Sequence, residues 1–356
     1  MITVKRAELM KKIGDISQVG GLRRYEMLDG RSKGVEAVEV KTGSGFSFTV
    51  LPGRGLDIAW GEHKGTNLTH ITKNGVIGHE YYDKEGLEWL RTFFGGILTT
   101  CGLSNVGWPS AEKNEFFGFD QSFGLHDRLN VTPAENLSVK QSWEKDKFKM
   151  NISGAMKETC FKGENLTLAR ELTAVLGENK FRICDRVENG TAISMPIMLL
   201  YHFNFGYPLL DKGTKLIINS EAIIPEDETA KKGLKKYADY GALSRSYPDQ
   251  VFHHNVNAAK AGACKVAIIN QKLKLGVYIA YNKKQLPYFA QWKVLKGGDY
   301  ITGLEPANCY AEGRIAAKKN NRLEMLGSGK VKEIDIEYGI IEGSAQIKKI
   351  IKEIKG

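Results

Sequence analysis

The sequence predicts an all-β protein, a large antiparallel sandwich with few short helices. Short runs of alternating or continuous apolar residues recur along the chain, which is typical of half-buried and buried strands. No regular helical pattern separates these runs, so neither a βαβ barrel nor a Rossmann sheet is expected. Glycine accounts for 39 of 356 residues. This share exceeds the usual one of about 7% and suits a fold with many turns.

Twelve segments have the composition and periodicity of strands. In one of them Phe181, Ile183 and Val187 share a face with Asp185, a charged residue among apolar ones. Such alternation is typical of antiparallel strands with one buried face. The predicted strands are Val35–Val40, Phe46–Leu51, Phe148–Ile152, Leu166–Leu176, Phe181–Val187, Met195–Asn204, Lys215–Asn219, Lys265–Asn270, Leu273–Tyr281, Pro287–Trp292, Leu323–Leu326 and Val331–Ile341.

Helices are predicted only near the two ends of the chain. Lys5–Ile13 is a short candidate, and Ser344–Ile354 is amphipathic because isoleucines recur at helical spacing. These isoleucines are Ile347, Ile350, Ile351 and Ile354. We expect this stripe to pack on a sheet rather than to anchor the chain in a membrane.

The chain is predicted to form one domain over residues 1–356. No Pro/Ser-rich linker or change of composition divides it, and no internal repeat of fixed period occurs. The polar stretch Glu226–Ser246 is interpreted as a long loop within that domain. A single domain of this length is common among all-β proteins.

Charge and cysteine content exclude several classes of partner. The formal net charge is +10, but only 13 of the 51 cationic residues are arginine, and the lysine clusters lack interleaved aromatics. We therefore expect a solvated lysine-rich surface and no nucleic-acid binding. No run of about 18 apolar residues and no apolar signal-peptide segment occurs, so no membrane association or secretion is expected. The five cysteines lack paired spacing, which indicates reduced thiols and a cytoplasmic location.

A glycine-rich stretch, Phe94–Pro109, stands out in the first third of the chain. It has neither the pattern of a phosphate-binding loop nor a helix signal after it. Its glycines are expected to let the backbone approach a neighbouring strand or a ligand closely. Cys101 within it has no base at motif spacing and is interpreted as a buried, inert thiol.

Three polar residues occupy unusual positions. His126 lies in a Gly-Leu-His-Asp-Arg motif, and His202 interrupts the apolar run Met195–Phe205. A polar ring in such a run must find a partner if it is buried. Glu305 precedes a proline, which favours an extended backbone with the carboxylate projecting from a strand. The remaining histidines are expected in polar surroundings, and the pair His253–His254 is expected to be exposed.

Several motifs together resemble the aldose 1-epimerase (galactose mutarotase)-like proteins, and most closely their bacterial branch known as a domain of unknown function. The motifs occur in the family's order between about Leu51 and Pro306, so the resemblance covers most of the chain. It implies a β-supersandwich, in agreement with the strand pattern. The motifs are Leu51–Asp57 (LPGRGLD), Gly96–Gly102 (GILTTCG), Gly124–Arg128 (GLHDR), Leu200–Pro208 (LYHFNFGYP) and Gly303–Pro306 (GLEP).

The resemblance also implies site residues. It makes His202 the general acid, Glu305 the general base, His126 a second substrate-contacting histidine and Arg54 the arginine that binds sugar hydroxyls. Further expected residues of the cleft are Tyr201, Asn204 and Trp292.

The sequence departs from the family pattern at two places. Asp127 follows His126 where the family commonly has glycine. The family's additional substrate-binding aspartate has no clear counterpart, although Asp249 and Gln250 lie in the corresponding region. The sugar on which the site acts is therefore open.

The implied activity is the interconversion of sugar anomers in a monosaccharide or related sugar, by acid–base ring opening and closing without a metal or organic cofactor. Two alternatives remain, and a third, a glycosidase, is disfavoured. His126, His202 and Glu305 could form a metal-binding facial triad, or the scaffold could bind or sense a sugar without catalysis. A glycosidase would need a second well-placed carboxylate.

Overall fold

The computed structural model describes residues 5–114 and 118–356, and antiparallel strands dominate it. In chain order the strands are β1 (Gly21–Glu26), β2 (Glu36–Lys41), β3 (Phe46–Leu51), β4 (Asp57–His63), β5 (Thr66–Asn67), β6 (Leu98–Leu103), β7 (Ser110–Asn114), β8 (Phe119–Phe123), β9 (Glu135–Glu144), β10 (Lys147–Thr159), β11 (Asn165–Val175), β12 (Lys180–Asn189), β13 (Met195–Phe205), β14 (Lys215–Ile217), β15 (Ser220–Pro225), β16 (Gln250–Val256), β17 (Ala263–Asn270), β18 (Leu275–Asn282), β19 (Tyr288–Lys296), β20 (Asp299–Ala307), β21 (Glu324–Leu326) and β22 (Val331–Glu342).

Two large sheets contain nearly all of these strands. The larger sheet has the order β1-β2-β3-β4-β6-β13-β20-β19-β16-β15, with β5 on β4 and β21 on β13. The smaller sheet has the order β14-β17-β18-β22-β12-β11-β10-β9, and β7 pairs with β8 separately. The expected all-β fold is confirmed.

The two sheets pack face to face around a shared apolar core. Phe46 and Phe48 of the larger sheet contact Phe181 and Tyr338 of the smaller one, with Phe48 and Phe181 ring centroids 4.8 Å apart. Tight packing of this kind between two inner faces is characteristic of a sandwich. The assignment of residues 1–356 to one domain stays a prediction, and this shared core supports it.

Four α-helices occur among the described residues, α1 (Arg6–Met10), α2 (Glu228–Gly233), α3 (Arg314–Lys319) and α4 (Gly343–Lys355). The isoleucine stripe of α4 packs on the outer face of the smaller sheet, against Ile217, Ala267, Ile269 and Ile341. This confirms the interpretation of the stripe.

None of the described helices has the length and hydrophobicity needed to cross a bilayer. Short 3₁₀ turns cover Ile16–Gln18, Gly30–Ser32, His79–Tyr81, Glu88–Arg91, Leu129–Val131, Leu234–Lys236 and Lys260–Gly262.

Two sequence interpretations need correction. The stretch Glu226–Ser246 is not a continuous loop, because α2 and a 3₁₀ turn lie within it. Asp227 caps α2 by accepting a hydrogen bond from the Ala230 N–H at 2.7 Å, a signal typical of a helix start. The pair His253–His254 is not exposed as a unit, because His254 is buried on the inner face of β16.

Candidate functional site

The outer face of the larger sheet, which points away from the smaller sheet, carries the site residues. On β13 the side chains of Tyr201 and Phe203 enter the core between the sheets, whereas Leu200 lies on the other side. His202 alternates with Tyr201 and therefore faces outward, because successive side chains of a strand point to opposite faces. Excursions of the chain cover this outer face, mainly residues 68–97, 104–114, 118–134 and 308–323.

His202 and Glu305 lie beside each other on this face. The His202 Nε2 atom is 3.1 Å from Glu305 Oε1, and the two residues are only 6% and 4% exposed. The register of β13 against β20 places them opposite each other, between Leu200↔Ala307 and Phe203↔Leu304. Oε1 has no hydrogen-bond donor among the described residues, so the two atoms are close without a formed hydrogen bond.

Burial shifts both pKa values of this pair toward the neutral forms. Desolvation raises the pKa of Glu305 to about 8, with a smaller contribution from the negative charge of Glu226. Desolvation also lowers the pKa of His202 to about 4. Between these values the pair holds one dissociable proton, located on the carboxyl group in the resting protein.

Aromatic rings enclose the imidazole of His202. Phe93 and Trp292 contact it edge-on, with ring centroids 5.4 and 5.5 Å away. His126 lies on a further side, with centroids 6.4 Å apart and the two ring planes nearly perpendicular. The described structure therefore brings His126, His202, Glu305 and Trp292 together, as the sequence predicts.

The orientation of His126 follows from its loop. Its Nδ1 accepts a hydrogen bond from the Gly107 N–H at 3.2 Å, and Trp89 packs against the ring at 4.8 Å. Burial, and secondarily His202, lowers the pKa of His126 to about 3. A neutral imidazole that accepts at Nδ1 carries its proton on Nε2, which makes His126 a hydrogen-bond donor toward a ligand oxygen.

Gly303 and Asn204 shape the space around the pair. A Cβ atom on Gly303 would lie 2.3 Å from Glu305 Oε1 and 2.8 Å from His202 Cε1, so only glycine leaves both groups in place. Asn204 donates hydrogen bonds to the backbone carbonyls of His202 at 2.8 Å and Gly95 at 3.1 Å. Its Oδ1 is buried without a partner among the described residues. Asn204 thus holds the strand beneath His202, as well as carrying an acceptor.

Arg54 does not reach the cleft, which corrects the expectation that it binds sugar hydroxyls. Its side chain is fully buried, and its guanidinium donates to the carbonyls of Asn130 at 2.9 Å, Thr92 at 3.0 Å and Ile77. Desolvation lowers the pKa of Arg54 to about 10. Because Nε, Nη1 and Nη2 all donate to backbone carbonyls, Arg54 positions the segment that carries Phe93.

The expectation that Tyr201 lines the cleft also needs correction. It faces the intersheet core, where its hydroxyl donates to Asp185 Oδ2 at 2.7 Å. Because Tyr201 and His202 are sequence neighbours on one strand, they cannot line the same face.

A cleft of about 350 Å³ lies on the same side of the sheet, and its lining residues do not include His202 or Glu305. Phe93 and Trp292, which both contact His202, form part of its wall. Asp249 also lines it and accepts a hydrogen bond from Trp292 Nε1 at 3.3 Å. The other polar lining residues are His70, Thr72, Lys73, Asn74, Lys296 and Asp299.

The metal-site alternative gains no support from the arrangement of side chains. Within residues 5–114 and 118–356, no group of three or more His, Cys, Asp and Glu side chains is arranged to hold a metal ion. His126, His202 and Glu305 are neighbours, but they too do not form such a group.

Comparison with protein families gives one match, to the family described as "Domain of unknown function (DUF4432)", over residues 32–340. This match spans most of the chain. The chain belongs to this family. A comparison with curated protein sequences gives no match.

Solved structures place this family member on the galactose mutarotase-like fold. A Klebsiella pneumoniae protein, provisionally described as an aldose 1-epimerase, is 25% identical, with a TM-score of 0.88 over 99% of this chain and 91% of its own. A galactose mutarotase-like protein from Clostridium acetobutylicum is 11% identical, with a TM-score of 0.61 over 91% and 99% of the two chains. The galactose 1-epimerase of Lactobacillus acidophilus is 14% identical, with a TM-score of 0.56 over 91% and 99%.

Sequence reasoning missed some residues that shape the site of this family member. Phe93 and Trp89 lie in the segment Glu88–Phe94, which begins with a short 3₁₀ turn. The sequence of this segment matches no recognised motif. Gly303 was part of a motif, yet its role depends on cross-strand distances. The density of aromatic residues before the glycine-rich stretch was the one available signal, since aromatic faces suit sugar C–H surfaces.

Proposed function

We propose that this protein interconverts the anomers of a sugar by acid–base ring opening and closing, as an aldose 1-epimerase-type isomerase. The proposed catalytic residues are His202 and Glu305, and the proposed substrate-binding residues are His126, Asn204 and Trp292. The similarity of the fold to aldose 1-epimerases supports the reaction class, and the geometry of the pair supports the mechanism.

One observation carries the proposal: His202 Nε2 approaches Glu305 Oε1 to 3.1 Å, and no cationic side chain within residues 5–114 and 118–356 pairs with this carboxyl group. Ring opening removes a proton from the anomeric hydroxyl and adds one to the ring oxygen. These two oxygens are bonded to the same carbon, so the acid and the base must be close together. A carboxyl and an imidazole on adjacent strands meet this requirement.

The pair also holds the right number of protons. The reaction needs one group that is protonated and one that is not, and between pH values of about 4 and 8 the pair carries one proton. In the predicted roles Glu305 accepts the hydroxyl proton while His202 donates to the ring oxygen. After rotation about the C1–C2 bond, the ring closes from the other face and both protons return.

The resting location of the proton is opposite to these roles. Burial favours the neutral carboxyl and the neutral imidazole, so the proton must move from Glu305 to His202 before ring opening. Hydroxyl groups of a bound sugar that donate to the carboxylate favour this transfer, because they stabilise the charged form of Glu305.

The test is a panel of freshly dissolved α- and β-anomers, followed by polarimetry or NMR with and without protein. For the sugar that responds, Glu305→Gln preserves shape but cannot accept the proton, and His202→Asn removes the acid. We expect each variant to lose about two to four decades in rate, with little change in sugar affinity.

His254→Asn is the matched control. His254 is also buried with a pKa lowered to about 4 by desolvation, but it lies on the inner face of β16, where it contacts Ser220 and Gln291. We expect this variant to keep the wild-type rate. Equal loss in all three variants would indicate damage to the fold instead of loss of an acid or a base.

The second candidate is a non-catalytic carbohydrate-binding or sensing protein on the same scaffold. The resting proton location favours it, because neutral groups can bind hydroxyls without transferring protons. Tight binding of a sugar whose anomer exchange stays at the uncatalysed rate would establish this alternative.

We further propose a cytoplasmic location. The cysteines Cys101, Cys160, Cys184, Cys264 and Cys309 are all free thiols in the structure, and Cys160 and Cys184 are exposed. Exposed free thiols suit a reducing compartment.

A further inference from the structure

A row of side chains continues from the catalytic pair across the outer face of the larger sheet. Glu305 on β20 lies opposite Ala290 on β19, and Ala290 lies opposite His253 on β16. Opposite residues in an antiparallel sheet project on the same side, with neighbouring strands about 4.8 Å apart. His253 is therefore on the same face as Glu305, roughly 10 Å away, and the buried Ala290 occupies the position between them in the row.

Two tyrosines near His253, Tyr288 and Tyr310, form what we call the tyrosine platform. The Tyr310 ring contacts His253 at 4.5 Å and nearly at a right angle, and Tyr288 contacts Tyr310 at 4.6 Å. Both tyrosines are half-buried, and within the part of the chain that the structure describes neither hydroxyl has a hydrogen-bond partner. The platform thus offers aromatic faces and two available phenol groups.

The charges around the platform favour a neutral ligand. Glu226 is paired with His253 at 2.5 Å and stays partly exposed. Arg322 lies over the Tyr310 ring at 5.0 Å, but its guanidinium is bonded to Glu312. An anionic ligand would meet the Glu226 carboxylate without a free cation to offset it, whereas sugar hydroxyls can donate to it.

The end of the row is open to solvent. Ile224 on the edge strand β15 lies opposite His253, and it is 54% exposed. A ligand at His202 and Glu305 that extends along the row past the buried Ala290 therefore meets the Tyr310 ring of the segment 308–323 before it reaches the sheet edge.

We propose that the tyrosine platform, His253 and Glu226 form a second subsite, which binds a neutral sugar unit linked to the ring held at His202 and Glu305. This inference rests on the proposed function. Because the reacting ring must keep a free anomeric hydroxyl, the second unit is attached through another oxygen of that ring. The substrate class is then a reducing oligosaccharide.

The experiment compares glucose and galactose with the reducing disaccharides maltose, isomaltose, cellobiose, lactose and melibiose. Anomer-exchange kinetics and ligand-observed NMR binding are measured for each sugar. We expect at least one disaccharide to show a kcat/KM and an affinity about tenfold above those of its reducing-end monosaccharide, the effect of one well-packed aromatic contact.

Variants assign this preference to the platform. Tyr310→Ala removes the ring that contacts His253, and the double variant Tyr288→Phe/Tyr310→Phe keeps the packing but removes both hydroxyls. We expect each to reduce the ratio of disaccharide to monosaccharide kcat/KM severalfold or more. Tyr25→Ala, at an exposed tyrosine on the distant edge strand β1, should leave the ratio unchanged.

The outcomes separate this inference from the proposed function. If monosaccharides exchange as fast as every disaccharide, the second subsite is wrong while the isomerase activity stands. If no sugar exchanges, the isomerase proposal fails, and the binding measurements decide the subsite. A disaccharide preference that survives both platform variants overturns the subsite in either case.

Discussion

Two buried polar clusters lie back to back across strand β13, and they differ in how their charges are compensated. The inner cluster, between the sheets, consists of Arg170, Asp57, Asp185 and Tyr201. Arg170 donates to Asp185 Oδ2 at 2.7 Å and to Asp57 Oδ1 at 3.1 Å, and both ion pairs are fully buried. The outer pair, His202 and Glu305, is also buried, but no Lys or Arg side chain in the described part of the chain pairs with it.

The consequence of this difference is a difference in protonation. Burial alone lowers the pKa of Arg170, but the charges of Asp185 and Asp57 more than offset it, so the net pKa is raised and the guanidinium stays charged. Glu305 has no such partner, and desolvation raises its pKa to about 8. Neutralised ion pairs stabilise a fold, whereas an uncompensated buried carboxyl is available for proton transfer.

The largest expected effect is on the inner cluster. Arg170→Met leaves Asp57 and Asp185 buried without their cation, so we expect the free energy of unfolding to fall by about 3–5 kcal/mol. Chemical denaturation measures this change. Arg186→Met on the exposed face of β12 is the control, because its contact with Glu333 is solvated and should contribute less than about 1 kcal/mol. Equal losses in the free energy of unfolding in the two variants would show that the buried ion pairs of Arg170 stabilise the fold no more than a solvated contact does.

The second expected effect is a dependence of stability on pH that comes from Glu305. Glu305 has a pKa of about 8 when folded and 4.5 as a free group, so the folded protein keeps a proton that the unfolded chain releases. The contribution of Glu305 to the free energy of unfolding therefore falls as the pH rises between roughly 4.5 and 8. Thermal unfolding should find Glu305→Gln about 2–4 kcal/mol more stable than wild type at pH 8.5, and no more stable at pH 4. A constant difference would mean that Glu305 is not desolvated.

A smaller effect is expected from crowding the outer pair. Gly303→Ala forces Glu305 and His202 apart, because the added Cβ overlaps both. We expect roughly a hundredfold loss of anomer exchange, as is usual for a displacement of about 1 Å at a reacting centre. Gly241→Ala is the control, since its Cβ meets nothing within 4 Å. Full activity in the Gly303 variant would place the reaction elsewhere.

No effect is expected from removing metals. Neither proton-transfer partner needs a metal ion, so exhaustive treatment with a chelator should leave the anomer-exchange rate unchanged at constant pH and ionic strength. If the chelator abolishes activity and one divalent cation restores it, the result would support a metal-binding facial triad instead.

The two clusters also show what sequence reasoning can predict. Asp185 and His202 both interrupt apolar strands, and this interruption distinguishes them in the sequence. Which of them is an ion-pair partner depends on the register that places Arg170 opposite Asp185, and this register is set by long-range pairing of β11 and β12. Periodicity predicts the strands and the resemblance predicts which two residues we propose as acid and base, but neither contains cross-strand distances.

The errors have specific physical causes. Tyr201 is expected in the cleft because an aromatic face suits sugar C–H surfaces, but the alternation of a strand places it on the face opposite to His202. Arg54 lies in a turn, where the direction of a side chain depends on the loops around it. Backbone carbonyls of residues 77, 92 and 130 converge on its guanidinium, and their convergence is a property of the folded chain.

The most direct test of the central claim is the pH dependence of kcat/KM for anomer exchange, in wild type and in Glu305→Gln. The account predicts a bell-shaped wild-type profile that rises near pH 4, as the pair loses its second proton, and falls near pH 8, as it loses its last. The variant should be slow and should lack the limb near pH 8. A wild-type rate that only increases with hydroxide concentration, and that the variant reproduces, would contradict the assignment of His202 and Glu305 as acid and base.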